Sequence, residues 1–149
     1  MKISDRGLAL IKRCENLRLD AYQDSGGVWT IGYGSTLGVH KGMTITPGEA
    51  ERRLFEDIAR LDISPYLGVP TTQNQFDAMQ CLAFNIGLGD PDHKPKPISG
   101  FRTSTVLRMH RAGNYAKAAD AFLLWKYDNG KVVPGLLNRR EAERDLYLS

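Results

Sequence analysis

A chain of 149 residues is long enough for one domain, or for two small lobes sharing a connection. Hydrophobic residues at 42% and charged residues at 25% give the balance of a folded globular protein and exclude an intrinsically disordered one. A net charge of +3 suits an anionic polymer or surface, but acidic residues interleave with Arg52-Arg53 and Arg139-Arg140, unlike the stripe of a nucleic-acid binder.

The start, Met1-Lys2-Ile3-Ser4-Asp5-Arg6, lacks the apolar core of a signal peptide. Apolar runs such as Ala121 to Trp125 are too short to cross a bilayer, so no stable membrane insertion is expected. Cys14 and Cys81 lie in unrelated contexts without ligand spacing; two buried thiols are expected, and a disulfide stays open. His40, His93 and His110 are scattered. No metal and no cofactor is implied.

In chain order, Ser4 is a plausible cap for a first helix with Leu8, Leu10 and Ile11 on its apolar face, fading after Cys14 or Glu15. From Leu17 to Ile45 the pattern turns strand-like. Ala21-Tyr22, Val28 to Ile31 and Met43 to Ile45 are separated by glycines, which predicts a small antiparallel sheet built on hairpins. Thr46-Pro47-Gly48-Glu49 then combines a cap, a proline at the first helical position and a glutamate three residues after the cap. Leu54, Ile58 and Leu61 carry that helix towards Asp62 or Ile63. Further helices are predicted over Gln75–Ile86, Ser104–Arg111, Tyr115–Trp125 and Asn138–Leu148, with a loop over Gly89–Gly100 and a turn region over Asp128–Gly135. The fold class is α+β, because strands and helices are segregated along the chain.

The densest chemistry lies between Glu15 and Thr36. Glu15 ends a helix, Asp24 follows in a turn nine residues later, and Thr30 opens the run Thr30-Ile31-Gly32-Tyr33-Gly34. Two carboxyls in unlike surroundings are what glycoside hydrolysis needs, one to protonate the leaving oxygen and one to act across the sugar ring. The glycines leave room for a polymer to approach the backbone.

The stretch Glu15 to Asp24, followed by Thr30 to Gly34, resembles the signature of the phage-type lysozyme (endolysin) family. The likeness continues through Thr44-Ile45-Thr46 with Glu49-Ala50-Glu51, through Phe84-Asn85-Ile86-Gly87, through Gly100-Phe101 with Leu107-Arg108, and to Gly135-Leu136-Leu137-Asn138-Arg139-Arg140 with Glu143-Arg144. It spans essentially the whole chain. The resemblance implies one lysozyme-like domain over 1–149: a β-rich lobe at about 16–46, a connecting helix at about 47–63, and a helical lobe over 64–149 that includes the N-terminal helix. It implies a cleft between those lobes and hydrolysis of the β-1,4 bond between N-acetylmuramic acid and N-acetylglucosamine.

The same resemblance makes Glu15 the general acid, Asp24 the second catalytic carboxylate and Thr30 its neighbour. Arg139 matches an arginine that pairs with the catalytic glutamate, and Phe84 and Asn85 match substrate-binding positions. The partner would be peptidoglycan glycan strands, met by a monomer made in the host cytoplasm and acting on the periplasmic wall. Inversion is the outcome in the better-known phage enzymes, with the carboxyls roughly 6.5–9.5 Å apart. One departure is Ser35, where the family often has histidine; Asp90–Pro97 and Lys126–Pro134 look like insertions. The alternatives are a lytic transglycosylase, which Asp24 argues against, and a silent wall-binding module, which intact Glu15, Asp24 and Thr30 argue against.

Overall fold

The computed structural model describes residues 1–149. Its contacts divide the chain into two compact units, Ile11–Arg60 and Met1–Leu10 together with Leu61–Ser149. Helix α1 (Asp5–Cys14) contributes to both.

The unit formed by residues 11–60 holds the end of α1, the antiparallel pair β1 (Arg18–Gln23) and β2 (Trp29–Gly32), and helix α2 (Pro47–Arg60). The third predicted strand piece survives only as a bridge between Asp20 and Thr44. Thr46 caps α2 as expected, its Oγ1 accepting from the Glu49 amide at 3.2 Å. Every turn of α2 sends an apolar residue inward, at Ala50, Leu54 and Ile58. Ile31, Ile45 and Ala50 form the buried cluster between strand and helix. Gly32 is required there: its φ is +66°, and an added Cβ would sit 3.4 Å from that of Ala50. Ser35, at the position where the resemblance leads one to expect a histidine in many members, is buried, and its hydroxyl donates to Asp57 Oδ2 on α2 at 2.6 Å. A short neutral hydroxyl thus ties the strand end to the helix.

The α2 helix stops at Arg60, short of the predicted Asp62 or Ile63. Pro65 restricts the residue before it, and Ser64–Leu67 forms a separate turn, α3, with proline in its first turn.

The other unit is helical: the start of α1, α3, α4 (Gln73–Ile86), α5 (Thr105–Arg111), α6 (Tyr115–Ala121) and α7 (Pro134–Leu148). Ser4 accepts from the Gly7 amide, and its own amide and hydroxyl donate to Asp77, a buried carboxylate on α4. That contact pins the first helical turn. The α4 helix begins two residues before the predicted Gln75, because Gln75 is the third residue of a capping box opened by Thr72. The predicted Tyr115–Trp125 helix is α only to Ala121 and tightens to 3-10 over Phe122–Trp125. The region expected as a plain turn contains a hairpin, β3 (Tyr127–Asp128) and β4 (Lys131–Val132), whose Asn129 and Gly130 both have positive φ, 49° and 74°. Helix α7 starts at Pro134 rather than Asn138, with proline in its first turn. Cys81 is buried, but Cys14 is only half-buried, contrary to expectation, since it sits in the last turn of α1.

His110 is fully buried between Thr71 and Tyr147. Thr71 spends its hydroxyl proton on the Val69 carbonyl at 3.0 Å, so its oxygen accepts from His110 Nε2. Nδ1 is then the acceptor for the Tyr147 hydroxyl at 2.6 Å, and the ring is neutral. Burial lowers the His110 pKa and raises that of Tyr147. With the folded pKa below its ordinary 6.5, the native state binds fewer protons than the unfolded chain on the acid side. The stability from neutral His110 is therefore complete above pH 6.5 and lost as pH falls below it. Melting curves between pH 4.5 and 7.5 should show Tm falling more steeply in acid for the wild type than for His110→Asn; parallel profiles would contradict this.

Candidate functional site

The carboxylates and hydroxyl singled out from sequence, Glu15, Asp24 and Thr30, all fall within the unit of residues 11–60. Glu15 lies just past the last residue of α1, and its amide still donates to the Ile11 carbonyl at 2.8 Å, so its position is set by the helix end. Its side chain is half-buried. The Gly34 backbone faces it: a Cβ built at Gly34, whose φ is +91°, would lie 3.7 Å from Glu15 Oε2. The carboxyl is therefore held beside the turn that follows β2.

Asp24 and Thr30 are fixed to each other through one residue. Asp24 Oδ1 accepts from the amides of Gly26 at 2.9 Å and Val28 at 2.8 Å, an Asx-type turn at the hairpin tip. The Asp24 amide donates to the Val28 carbonyl at 2.9 Å, and the Gly27 amide returns to the Asp24 carbonyl. The Thr30 hydroxyl donates to that same Val28 carbonyl at 3.0 Å. Oδ1 is thus anchored and Oδ2 makes no bond within the protein. Thr30 Oγ1, its proton committed to Val28, presents lone pairs. Two acceptors are set by one strap of backbone. Asp24 is exposed and Thr30 is 5% exposed, so the pair grades from solvent into the sheet.

By sequence Val28 is only a β-prone residue. Its part in the site was signalled by Asp24-Ser25-Gly26-Gly27, where an aspartate precedes two glycines in a turn.

Arg139, Phe84 and Asn85 lie in the other unit. Phe84 and Asn85 occupy the last turn of α4, Phe84 half-buried and Asn85 exposed. Arg139, on α7, is 7% exposed; one of its terminal nitrogens donates to the Cys81 carbonyl at 3.5 Å and its Nε to Glu143 Oε1 at 3.4 Å. Arg140 and Glu143 are fully buried beside it, joined by N–O contacts of 2.8 and 2.9 Å. Burial pushes the Glu143 carboxyl up to about 7, with Arg140 and Arg139 pulling the other way. No group of three or more His, Cys, Asp or Glu side chains is placed to hold a metal ion, and no helix is long and apolar enough to cross a membrane.

Residues 12–143, most of the chain, match the family model described as phage lysozyme. The chain belongs to the phage lysozyme family. It is 46% identical to the endolysin of Salmonella phage P22, covering 100% of this chain and 99% of that protein. Among solved structures, an endolysin from Escherichia coli O157:H7 phage FAHEc1 superposes with a TM-score of 0.85 at 38% identity, over 100% of this chain and 94% of the other. The muramidase domain of SpmX from Asticaccaulis excentricus gives 0.87 at 36% identity, over 99% of this chain and 98% of the other. The α+β architecture, mostly helical with small antiparallel sheets, is thus that of the phage lysozymes.

Proposed function

We propose that Glu15, Asp24 and Thr30 hydrolyse the muramic acid–glucosamine β-1,4 bond of peptidoglycan with inversion. As a family member the chain is a lysozyme-type glycoside hydrolase, a phage endolysin that degrades the bacterial cell wall in host lysis. The observation that carries the finer reading is the Val28 strap, which ties both side chains to one residue and leaves Asp24 Oδ2 and Thr30 Oγ1 as acceptors on one hairpin. A water giving one proton to each acceptor turns a lone pair outward, towards the anomeric carbon.

The step then balances. Glu15 donates its proton to the glycosidic oxygen as the bond to the anomeric carbon breaks. The water oxygen bonds that carbon from the opposite face, and Asp24 takes the water's proton. Glu15 is left as a carboxylate and Asp24 as an acid, and exchange with solvent resets both. Arg139 belongs to the proposal as the group that orients Glu15, while Phe84 and Asn85 are proposed sugar contacts. A single catalytic domain over 1–149, acting as a monomer, completes it.

Proton NMR of a chitooligosaccharide or glycan-strand digest, recorded before mutarotation, tests the stereochemistry. The α-anomer should appear first, since the substrate bond is β. First appearance of the β-anomer would make Asp24 a nucleophile, and anhydro-muramic ends in the mass spectrum would replace hydrolysis by a transglycosylase.

A further inference from the structure

Residues 93 to 119 contain six lysines and arginines and not one acidic residue, in a chain whose net charge is only +3. The acidic interleaving seen around Arg52-Arg53 and Arg139-Arg140 does not extend to this segment. Folding concentrates the charge further. Arg102, on the 3-10 turn Phe101–Thr103, and Arg108 and Arg111, one turn apart on α5, line a single cavity of about 400 Å³ together with Thr105.

Packing, rather than acids, holds the arginines there. The Arg102 guanidinium lies over the Tyr66 ring at 4.7 Å. Arg111 rests beside the backbone of Gly68, where an added Cβ would be 3.7 Å from its Nε. The one carboxylate paired with them is Asp90, an ion-pair contact of 3.7 Å to Arg102 that is too long for a hydrogen bond. The Arg108 side chain has one hydrogen bond, to the hydroxyl of Thr105 at 3.5 Å, and no ion pair. Three like charges gathered into one concavity, with a single carboxylate paired to only one of them, repel one another. A multiply charged oxyanion relieves that repulsion, and guanidinium forks match its oxygens in pairs.

We propose that this cavity is a binding site for a phosphate or diphosphate group, separate in its residues from the hydrolytic constellation. Several oxygens around one phosphorus offer acceptors to arginines approaching from the 3-10 turn and from α5 together, which one planar carboxylate does not. The cavity volume lies in the range of small-ligand sites, large enough for a diphosphate. The phosphate can come from a soluble ion or from a phospholipid headgroup.

The experiment uses the full chain, labelled to observe arginine Nε–Hε resonances, and sodium pyrophosphate as the probe. Saturable shifts confined to Arg102, Arg108 and Arg111 are expected, with affinity at least tenfold weaker in Arg108→Gln/Arg111→Gln at unchanged Tm and unchanged wall-hydrolysis rate. Arg108→Lys/Arg111→Lys, which keeps the charge and removes the fork, should fall between. Co-sedimentation with vesicles of phosphatidylglycerol in phosphatidylcholine, set against phosphatidylcholine alone, separates the sources. Arginine-dependent capture assigns the headgroup, and pyrophosphate binding without capture assigns a soluble phosphate. Citrate binding as tightly as pyrophosphate, absence of saturable shifts, or full binding by the double glutamine variant would each overturn the proposal.

Discussion

Replacing Glu15 by glutamine is expected to stop cell-wall lysis while leaving the protein folded. Glutamine has the shape of the protonated acid but no proton to give to the glycosidic oxygen. Loss of general acid catalysis is worth about 10²–10⁴ in rate, or roughly 3–5.5 kcal/mol of transition-state stabilisation. The fall should appear in kcat, because the group acts on the bond being broken rather than on the bound polymer as a whole. The fold should survive: Glu15 is half-buried at a helix end, its backbone bond to Ile11 does not involve the side chain, and glutamine keeps the size and one acceptor oxygen of the carboxyl. Turbidity clearance of a wall suspension, read beside a thermal melt, measures both. A variant that melts like the wild type and clears at the wild-type rate places the acid elsewhere. Asp24→Asn separates the second role, since it keeps an oxygen for the Gly26 and Val28 amides but loses the base.

What could be read in advance follows the range of the interactions. The α2 start was legible because Thr46, Pro47 and Glu49 act within one turn. The α4 start lies two residues before the predicted Gln75 although its signal, Thr72 to Gln75, is equally local: Gln75 has the look of an opening residue, whereas it is the third residue after the Thr72 cap. The β3–β4 hairpin also had its mark in Asn129-Gly130, but strands of two residues give alternation no room to show. At the candidate site, the Glu15–Asp24–Thr30 spacing was visible, whereas the Val28 strap and the approach of Gly34 to Glu15 depend on hairpin geometry. The Ser35–Asp57 bond joins residues 22 apart and has no local signature. Buried charge is the hardest feature to foresee. Arg139-Arg140 and Glu143 have the spacing of a solvated helix face, and only the packing of α7 against α4, α6 and the 3-10 turn Phe122–Trp125 turns that face inward.

That inward face sets the second large expectation. The buried Glu143 carboxyl serves two guanidinium groups, Arg140 at 2.8 Å and Arg139 at 3.4 Å. Glu143→Leu leaves the fully buried Arg140 guanidinium without that counterion, and such a loss costs about 3–5 kcal/mol. For a domain of this size that is a drop in Tm of roughly 6–20 °C. Arg140→Met/Glu143→Leu removes both buried charges and fills their space with apolar atoms, so it should recover most of the loss; replacing a buried pair in this way is often neutral or better. Arg139 keeps its bond to the Cys81 carbonyl in either variant. Urea unfolding of the wild type, both single variants and the double variant closes a thermodynamic cycle. A double variant no more stable than Glu143→Leu would mean that the carboxylate supports the helix through Arg139 rather than through Arg140. Recovery in the double variant would locate the penalty in the Arg140 charge, and would identify the buried pair as a polar element that an apolar core could replace.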